Sequence, residues 1–290
     1  MKSRNLIYFC LILCAFIDNI HAKEKELDNS LQAQSMLSVL YAQSSAEYEA
    51  SNIQTYINAK SALDRALNDL SWTAAIEQKK NFKNKPPAII LDIDETVLNN
   101  IPFQARSIIN GQPYPIGWLE WMLEESSDAV AGVSDFLEYA QSKGVKIFYV
   151  TNRIAVAEDA TRNNIKKLGL PLDADRDVLL MKDENGWTSD KVSRRELIAK
   201  DYRILLLIGD QLGDFLPLDE TTLELDSRKN LADTYKHMWG SKWFMITNPM
   251  YGRWEASIYN NEYPDTEDEL MQMRLEALKL KDKTNYRYVN

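Results

Sequence analysis

Residues 88–96 of the chain read Ala-Ile-Ile-Leu-Asp-Ile-Asp-Glu-Thr, an apolar run that leads directly into acidic side chains. A short apolar run of this kind is typical of a fully buried parallel strand. Because side chains two positions apart point to the same side of a strand, Asp92 and Asp94 are predicted to face one site while Ile93 packs away from it. The Asp-x-Asp tripeptide alone is weak evidence for a functional site, since it is also common in solvated loops and at helix starts.

Further apolar runs follow the first one along the chain and predict strands at 146–150, 178–181, 203–208 and 243–246. Helical patterns separate these runs at 133–142, 156–168 and 191–199. Strands that alternate with helices predict an α/β fold, a doubly wound parallel sheet with helices on both faces.

Residues 99–131 interrupt this alternation with several aromatic and proline residues, and they are predicted to form a small cap inserted after the first strand. Residues 23–85 contain neither proline nor glycine and predict an N-terminal helical segment, with one or two long helices ending near Gln78. Residues 86–290 are predicted to form the α/β core, which ends in a helix at 266–280 capped near Asp265.

Residues 1–22 have the composition of a secretory signal, with Lys2 and Arg4 before an apolar run and with Ala22 as the predicted cleavage position. The apolar run is shorter than the about 20 residues that span a bilayer, and no other transmembrane span is predicted. We therefore expect export, to the periplasm or to the exterior.

Both cysteines, Cys10 and Cys14, lie in the predicted signal, so the mature chain is expected to have no disulfide and no cysteine metal site. Cys14 follows Leu13 rather than a small residue, which makes an outer-membrane lipoprotein the weaker expectation. His21 also lies in the signal, and His237 alone cannot form a multi-histidine zinc site.

The formal net charge of −9 makes the chain a poor candidate for binding nucleic acid or an anionic membrane. An anionic substrate would need local positive charge from a metal ion or from a few basic residues.

Polar side chains follow three of the other predicted strands, and ligands bind at the carboxyl ends of strands in doubly wound sheets. Thr151 and Asn152 offer donors for phosphate oxygens, although either one also fits a helix cap. Asp210 and Asp214 bring two more acids to the same edge, and oxygen ligands from Asp92 and Asp210 would suit Mg²⁺.

A lysine near this edge could stabilise a phosphoryl group in transfer. Lys191 is preferred because it precedes a helix that leads into the strand before Asp210, and Lys182 is the alternative. Most lysines are simply solvated, so neither lysine alone is strong evidence for a site. The order of the motifs along the predicted strands is stronger evidence than any one motif.

The chain resembles the haloacid dehalogenase superfamily and, within it, the class C acid phosphatases related to the bacterial 5′-nucleotidase lipoprotein e(P4). The stretches that carry the resemblance are SSAEYEA at 44–50, LDIDETVLNN at 91–100, FYVTNR at 148–153, SDK at 189–191, IGDQLGDF at 208–215 and NPMYGRWE at 248–255. The chain departs from the family at 99–103, where Asn-Asn-Ile-Pro-Phe stands in place of the frequent Asp-Asn-Ser-Pro-Tyr.

The resemblance implies an exported acid phosphatase that hydrolyses small-molecule phosphate monoesters through an aspartyl-phosphate. Asp92 is expected to attack phosphorus and Asp94 to protonate the leaving oxygen, which implies an acidic pH optimum. The phosphoryl oxygens are expected to contact Thr151, Asn152 and Lys191. The expected Mg²⁺ ligands are Asp92, the backbone carbonyl of Asp94 and Asp210, with Asp214 nearby.

The resemblance also implies that Tyr251 stacks on the organic part of the substrate and that Phe103 faces it, an arrangement that would suit nucleoside 5′-monophosphates or aryl phosphates. Trp254 is expected to be a core residue. A phosphotransferase and a non-catalytic storage or binding relative are the alternatives, and the oligomeric state, a homodimer included, stays open.

Overall fold

The computed structural model describes residues 31–279, so the predicted signal at 1–22 lies outside the described residues. The N-terminal helical segment forms three helices, α1 (Leu31–Gln34), α2 (Met36–Ser44) and α3 (Ala46–Asn68). The prediction that the last helix continues to Gln78 is wrong. The helix ends at Asn68 because Asp69 adopts an extended backbone, and its side chain accepts hydrogen bonds from the N–H and hydroxyl of Ser71.

The strands of the described residues are β1 (Pro87–Leu91), β2 (Leu98–Asn99), β3 (Asp128–Ala129), β4 (Lys146–Ile154), β5 (Leu179–Lys182), β6 (Arg203–Gly209) and β7 (Trp243–Met245). Five of them form one parallel sheet in the order β5-β4-β1-β6-β7, which confirms the predicted α/β fold. The central strand is β1, so the residues that follow it lie at the middle of the carboxyl edge of the sheet.

The remaining helices are α4 (Ile101–Asn110), α5 (Trp118–Glu124), α6 (Val133–Ser142), α7 (Glu158–Lys167), α8 (Val192–Asp201), α9 (Leu218–Thr221), α10 (Leu225–Thr234), α11 (Arg253–Ala256) and α12 (Glu267–Ala277). Helices cover both faces of the sheet. Buried side chains of α3, α6 and α7 pack on one face, and Ile198 of α8 packs with Phe215 and Trp243 on the other. The last helix is capped by Thr266, the residue next to Asp265, near which the cap was predicted.

The cap lies between β2 and β3, which pair as a short antiparallel ladder. Inside it, the ring of Phe103 on α4 packs edge-on against Trp118 on α5, with the ring centroids 5.0 Å apart. Phe103 is only 3% exposed, so this aromatic pair forms the small core of the cap.

Helix α3 is attached directly to the loop that follows β1. The hydroxyl of Tyr56 donates a 2.6 Å hydrogen bond to the backbone carbonyl of Thr96, and both residues are buried. The helix passes close to Gly132, where a Cβ atom would lie 3.1 Å from the Cα of Ile53. None of the helices within residues 31–279 is both long and apolar enough to cross a membrane.

Candidate active site

The loop after β1 separates the two acids of the Asp-x-Asp motif. The N–H of Asp92 still continues the sheet by donating to the carbonyl of Ile208 at 3.0 Å. Ile93 is buried in the core, as predicted, and its carbonyl accepts 2.8 Å hydrogen bonds from the N–H groups of Val97 and Leu98. This tight turn directs the side chains of Asp92 and Asp94 toward different sets of partners.

Lys191 connects the first of these acids to the opposite loop. Its Nζ lies 2.6 Å from Asp92 Oδ1 and 2.6 Å from Asp214 Oδ1, and the lysine is buried. Burial alone would lower the pKa of Lys191, but the carboxylates of Asp214 and Asp92 raise it above its ordinary value, so the ammonium stays charged. The position of Lys191 favours it over Lys182, which lies at the end of the edge strand β5.

Asp210 lies at the end of β6, next to this ion pair. Its Oδ2 accepts hydrogen bonds from Asn248 Nδ2 at 2.9 Å and from Gln211 Nε2 at 3.0 Å. Burial raises the pKa of Asp210 well above its usual value, and the charges of Asp214 and Asp92 raise it further. A side chain at position 209 would collide with Asp214, because a Cβ there would lie 2.2 Å from Asp214 Oδ2, so glycine is required.

Carboxylate oxygens of Asp92, Asp210 and Asp214 lie within 4.8 Å of one another. Three acids that converge in a buried site carry more negative charge than the single ammonium of Lys191 can balance. Oxygen ligands and excess negative charge are what a hard divalent cation requires, so the residues fit a metal site. The structure thus brings together Asp92 and Asp210, as predicted, with Asp214, whereas the carboxylate of Asp94, predicted to face the same site as Asp92, lies outside this group.

Asp94 belongs to a separate cluster. Its Oδ1 accepts 2.8 Å hydrogen bonds from Arg153 Nε and from Asn100 Nδ2. The carbonyl oxygen of the Asn100 side chain accepts in turn from Trp121 Nε1 at 2.8 Å and from Ser127 at 3.0 Å. Partners from the core and from the cap therefore fix the orientation of Asp94.

Thr151 and Asn152 lie near the end of β4, where each side chain already forms a hydrogen bond within the protein. Thr151 is buried, and its hydroxyl accepts a hydrogen bond from the N–H of Arg153 at 3.0 Å. Asn152 is exposed, and its Nδ2 donates to the carbonyl of Ser189 at 3.1 Å. Their contact with phosphate stays a prediction, whereas their position beside the loop that carries Lys191 is a feature of the structure.

Tyr251 and Phe103 contact different parts of the protein. The hydroxyl of Tyr251 donates to the carboxylate of Glu95, whereas the ring of Phe103 packs on Trp118 and Trp121. No ring contact joins Phe103 to Tyr251 in the part of the chain that the structure describes.

The expectation that Trp254 is a core residue is wrong. Its side chain is 38% exposed, because it lies on the short surface helix α11. Its indole N–H donates to the carbonyl of Tyr251 at 3.1 Å, which satisfies the polar atom at the surface.

Comparison with known proteins places this arrangement in a family. The family described as HAD superfamily, subfamily IIIB (acid phosphatase), matches residues 16–254. The chain belongs to this family.

Solved structures agree with this assignment. The phosphatase is similar to the class C acid phosphatase from Bacillus anthracis, at 33% identity and a TM-score of 0.75, over 87% of this chain and 100% of that one. A crystal structure of that relative with tungstate bound gives 33% identity and a TM-score of 0.76 over the same shares. The Stem 31 kDa glycoprotein of Glycine max is 27% identical over 204 residues, which cover 68% of this chain and 71% of that protein.

Several residues near the site were not predicted from the sequence. Asn100 and Arg153 stand inside the motifs quoted above, but the motifs alone do not show that both side chains contact Asp94. Tyr114 is 67% exposed at the edge of the cap, packs near Trp118, and lies close enough to Asp94 for that charge to add to the effect of burial in raising its pKa.

Arg194, in the first turn of α8, joins the two loops that carry the predicted phosphate contacts. Its guanidinium donates to the carbonyl of Thr151 at 2.5 Å, to Asn152 Oδ1 at 2.8 Å and to the carbonyl of Thr188 at 3.0 Å. Burial lowers the pKa of Arg194 to about 10, which leaves it charged at neutral pH. Sequence alone gave no signal for this role, since an arginine on a helix is usually solvated.

We predict that Arg194→Lys lowers kcat by about tenfold to a hundredfold, because lysine lacks the planar fork that reaches both loops at once. Steady-state hydrolysis of p-nitrophenyl phosphate measures the effect, and circular dichroism verifies folding. The matched control is Arg176→Lys, which changes a half-buried arginine that pairs with Asp201. Equal kcat values for the two variants would contradict the positioning role of Arg194.

Proposed function

We propose that this phosphatase hydrolyses phosphate monoesters through a covalent aspartyl-phosphate formed on Asp92. The observation that carries the proposal is the separation of the two motif acids. Asp92 lies with Lys191 beside the other carboxylates, whereas Asp94 is held by Arg153 and Asn100. Two carboxylates in different environments can take different roles, one as nucleophile and one as acid and base.

In the first step, a carboxylate oxygen of Asp92 bonds to phosphorus while the bond from phosphorus to the ester oxygen breaks. Asp94 gives its proton to that leaving oxygen, so the alcohol departs neutral. We assign this proton to Oδ2, because Arg153 and Asn100 both donate to Oδ1. An acidic pH optimum is expected, since Asp94 must begin each cycle protonated.

In the second step, Asp94 removes a proton from water, and the water oxygen bonds to phosphorus. The bond to Asp92 breaks, which releases phosphate and returns Asp92 as a carboxylate. Lys191 supports both steps, because its ammonium stabilises negative charge that develops on the phosphoryl oxygens. Thr151 and Asn152 are the further proposed contacts of those oxygens.

Mg²⁺ is the proposed metal, held by Asp92, Asp210 and the backbone carbonyl of Asp94, with Asp214 nearby through water or Lys191. When bound, the ion neutralises charge on the acids and on the phosphoryl group. The buried oxygen donors of the three converging aspartates support this choice, because Mg²⁺ prefers carboxylate and water oxygens.

Removal of the metal should destabilise the protein, and more so at neutral than at acidic pH. Burial raises the pKa of Asp210 in the folded, metal-free protein. The contribution of Asp210 to the free energy of unfolding is therefore greatest below the usual aspartate pKa, and it falls as the pH rises through the raised pKa. Tm in saturating Mg²⁺ is expected to exceed Tm in EDTA by about 5 °C or more at pH 7.5, and by less at pH 5.

Differential scanning calorimetry at the two pH values measures this effect, with Asp210→Asn as the control that should lose the rise. A Tm that Mg²⁺ leaves unchanged at pH 7.5 would argue against the proposed metal site.

Asp92→Asn tests the proposed nucleophile. An amide cannot attack phosphorus as a carboxylate does, so kcat for p-nitrophenyl phosphate with Mg²⁺ should fall by about 10⁴-fold or more, while the fold stays intact. The matched control is Asp135→Asn, an exposed acid in the first turn of α6, which should keep full activity. Turnover like that of the unchanged protein in Asp92→Asn would end the assignment.

Two alternatives can be separated from this proposal by simple assays. A non-catalytic storage or binding relative would show no Mg²⁺-dependent release of p-nitrophenol, although the presence of both Asp92 and Asp94 argues against that reading. A phosphotransferase would form a new phosphate ester when an acceptor alcohol is added.

The proposed substrates are nucleoside 5′-monophosphates or aryl phosphates, recognised by the ring of Tyr251. The half-buried ring and the contact of its hydroxyl with Glu95 support a ring held in one position beside the loop after β1. Because Phe103 is buried in the cap core, it would act by supporting the cap rather than by facing the substrate.

Tyr251→Ala should raise KM for a nucleoside 5′-monophosphate by about tenfold and leave KM for glycerol phosphate unchanged, because only the first substrate has a base that can stack. Tyr251→Phe is the control, since it keeps the ring and loses only the hydroxyl. If Tyr251→Ala raises both KM values equally, stacking is not the role of this ring.

Export remains a proposal that rests on the composition of residues 1–22. N-terminal sequencing of the mature protein recovered outside the cytoplasm would test it, with Lys23 as the expected first residue.

A further inference from the structure

One oxygen of Asp210 accepts hydrogen bonds from two amide side chains. Asp210 Oδ2 lies 2.9 Å from Asn248 Nδ2 and 3.0 Å from Gln211 Nε2. Asp210 and Asn248 are both buried, and Gln211 is half-buried. Hydrogen bonds to a carboxylate are stronger than those between neutral groups, so the two amides fix the orientation of this acid.

The same two amides hold the backbone of residues 248–253, the loop that carries Tyr251. Asn248 Oδ1 accepts hydrogen bonds from the N–H of Met250 at 3.0 Å and from the N–H of Tyr251 at 3.4 Å. Gln211 Nε2 donates its second hydrogen to the carbonyl of Tyr251 at 3.3 Å. Each amide therefore connects Asp210 to the backbone of Tyr251.

Gly252 permits the loop to pack directly on the side chain of Gln211. Its φ of 144° lies in a region that favours glycine, and a Cβ atom there would lie 2.3 Å from Gln211 Oε1. That oxygen accepts a hydrogen bond from the N–H of Arg253 at 3.3 Å. A displacement of the Gln211 side chain would therefore displace the loop.

The ring of Tyr251 is also anchored at its hydroxyl end, which donates to the carboxylate of Glu95. Glu95 is buried, and its other oxygen accepts a hydrogen bond from the N–H of Asn100 at 2.9 Å. The ring is thus held through its backbone by partners of Asp210 and through its hydroxyl by the loop after β1.

The less occupied oxygen of Asp210 is Oδ1, which within residues 31–279 has one long contact, 3.5 Å from the hydroxyl of Thr96. Asp92 and Asp214 bring two more carboxylates close to Asp210, and like charges in a buried site repel each other. A cation among these acids removes that repulsion. The orientation of Asp210, and with it that of the two amides, is then better defined.

We propose that Gln211 and Asn248 couple the metal site to the substrate ring, so that a cation bound by Asp210 favours the position in which Tyr251 stacks on a base. Both are positioning residues, because they act through Asp210 and Tyr251. The inference rests on the proposed function, in which Asp210 holds Mg²⁺ and the ring of Tyr251 stacks on a nucleoside. Because coupling between two binding sites is reciprocal, a stacked base also tightens the binding of the metal.

Isothermal titration calorimetry with adenosine tests the coupling at pH 7.5, in saturating Mg²⁺ and in EDTA. Adenosine has a base that can stack but no phosphate that could bind the metal. Its Kd should be about fivefold lower in Mg²⁺ than in EDTA. In Tyr251→Ala the Kd measured in Mg²⁺ should rise by about tenfold, because the stacking surface is lost.

Gln211→Met tests the amide, because methionine has a similar length and donates no hydrogen bond. The Kd of adenosine should become equal in Mg²⁺ and in EDTA, and the Kd of Mg²⁺, titrated without adenosine, should rise by about tenfold. Asn248→Ala should have the same two effects. The matched control is Gln141→Met, an exposed glutamine on α6, which should leave both Kd values unchanged.

An adenosine Kd in the unchanged protein that is the same in Mg²⁺ and in EDTA overturns the coupling, whether or not the variants fold. It is also overturned if the effect of Mg²⁺ persists in folded Gln211→Met or Asn248→Ala, since the cation would then act on the nucleoside directly. Either result, together with weaker adenosine binding in Tyr251→Ala, leaves the proposed stacking intact. An adenosine Kd that Tyr251→Ala does not change contradicts the stacking itself, and the coupling with it.

Discussion

The ion pair between the ammonium of Lys191 and the carboxylates of Asp92 and Asp214 is the interaction on which the site depends. Three acids converge in a buried space, and buried charges of one sign repel each other strongly unless an opposite charge lies among them. Lys191 supplies that charge from a loop almost a hundred residues from Asp92. The same contact that permits the acids to be buried also holds the ammonium in the position that the proposed mechanism requires.

A second layer of buried cations fixes the loops around this pair. Arg194 holds the carbonyl of Thr151 and the loop before Lys191, while its neighbour Arg195 pairs with Glu77 and donates to the carbonyl of Asp214 at 3.1 Å. Adjacent residues of one helix thus contact both the loops that carry the proposed phosphate contacts and the loop that carries Asp214. Such positioning matters because catalysis depends on geometry set to within fractions of an ångström.

The sequence predicted the sheet well because buried parallel strands are continuous apolar runs, and it predicted the acids because each follows such a run. The end of α3 was harder to predict, because the apolar periodicity continues past Asn68. The helix ends there because Asp69 has an extended backbone and its side chain accepts a hydrogen bond from the N–H of Ser71. Trp254 shows a related limit, because an aromatic residue gives no sign of which side of a short helix it occupies. The contacts of Arg153 and Arg194 depend on tertiary neighbours, which no local pattern records.

The attachment of α3 has a consequence for how the chain matures as it emerges from a ribosome or a translocation pore. The carbonyl of Ala66 is bound by Arg203, and the indole of Trp72 reaches Leu205, partners that are synthesised more than a hundred residues later. Until β6 appears, the end of α3 that contacts this strand has no partner, although Tyr56, earlier in the helix, packs against Phe136 of α6, which is synthesised before β6. The C-terminal end of this helix is therefore exposed until β6 has been synthesised, and a holding chaperone would find a binding segment there.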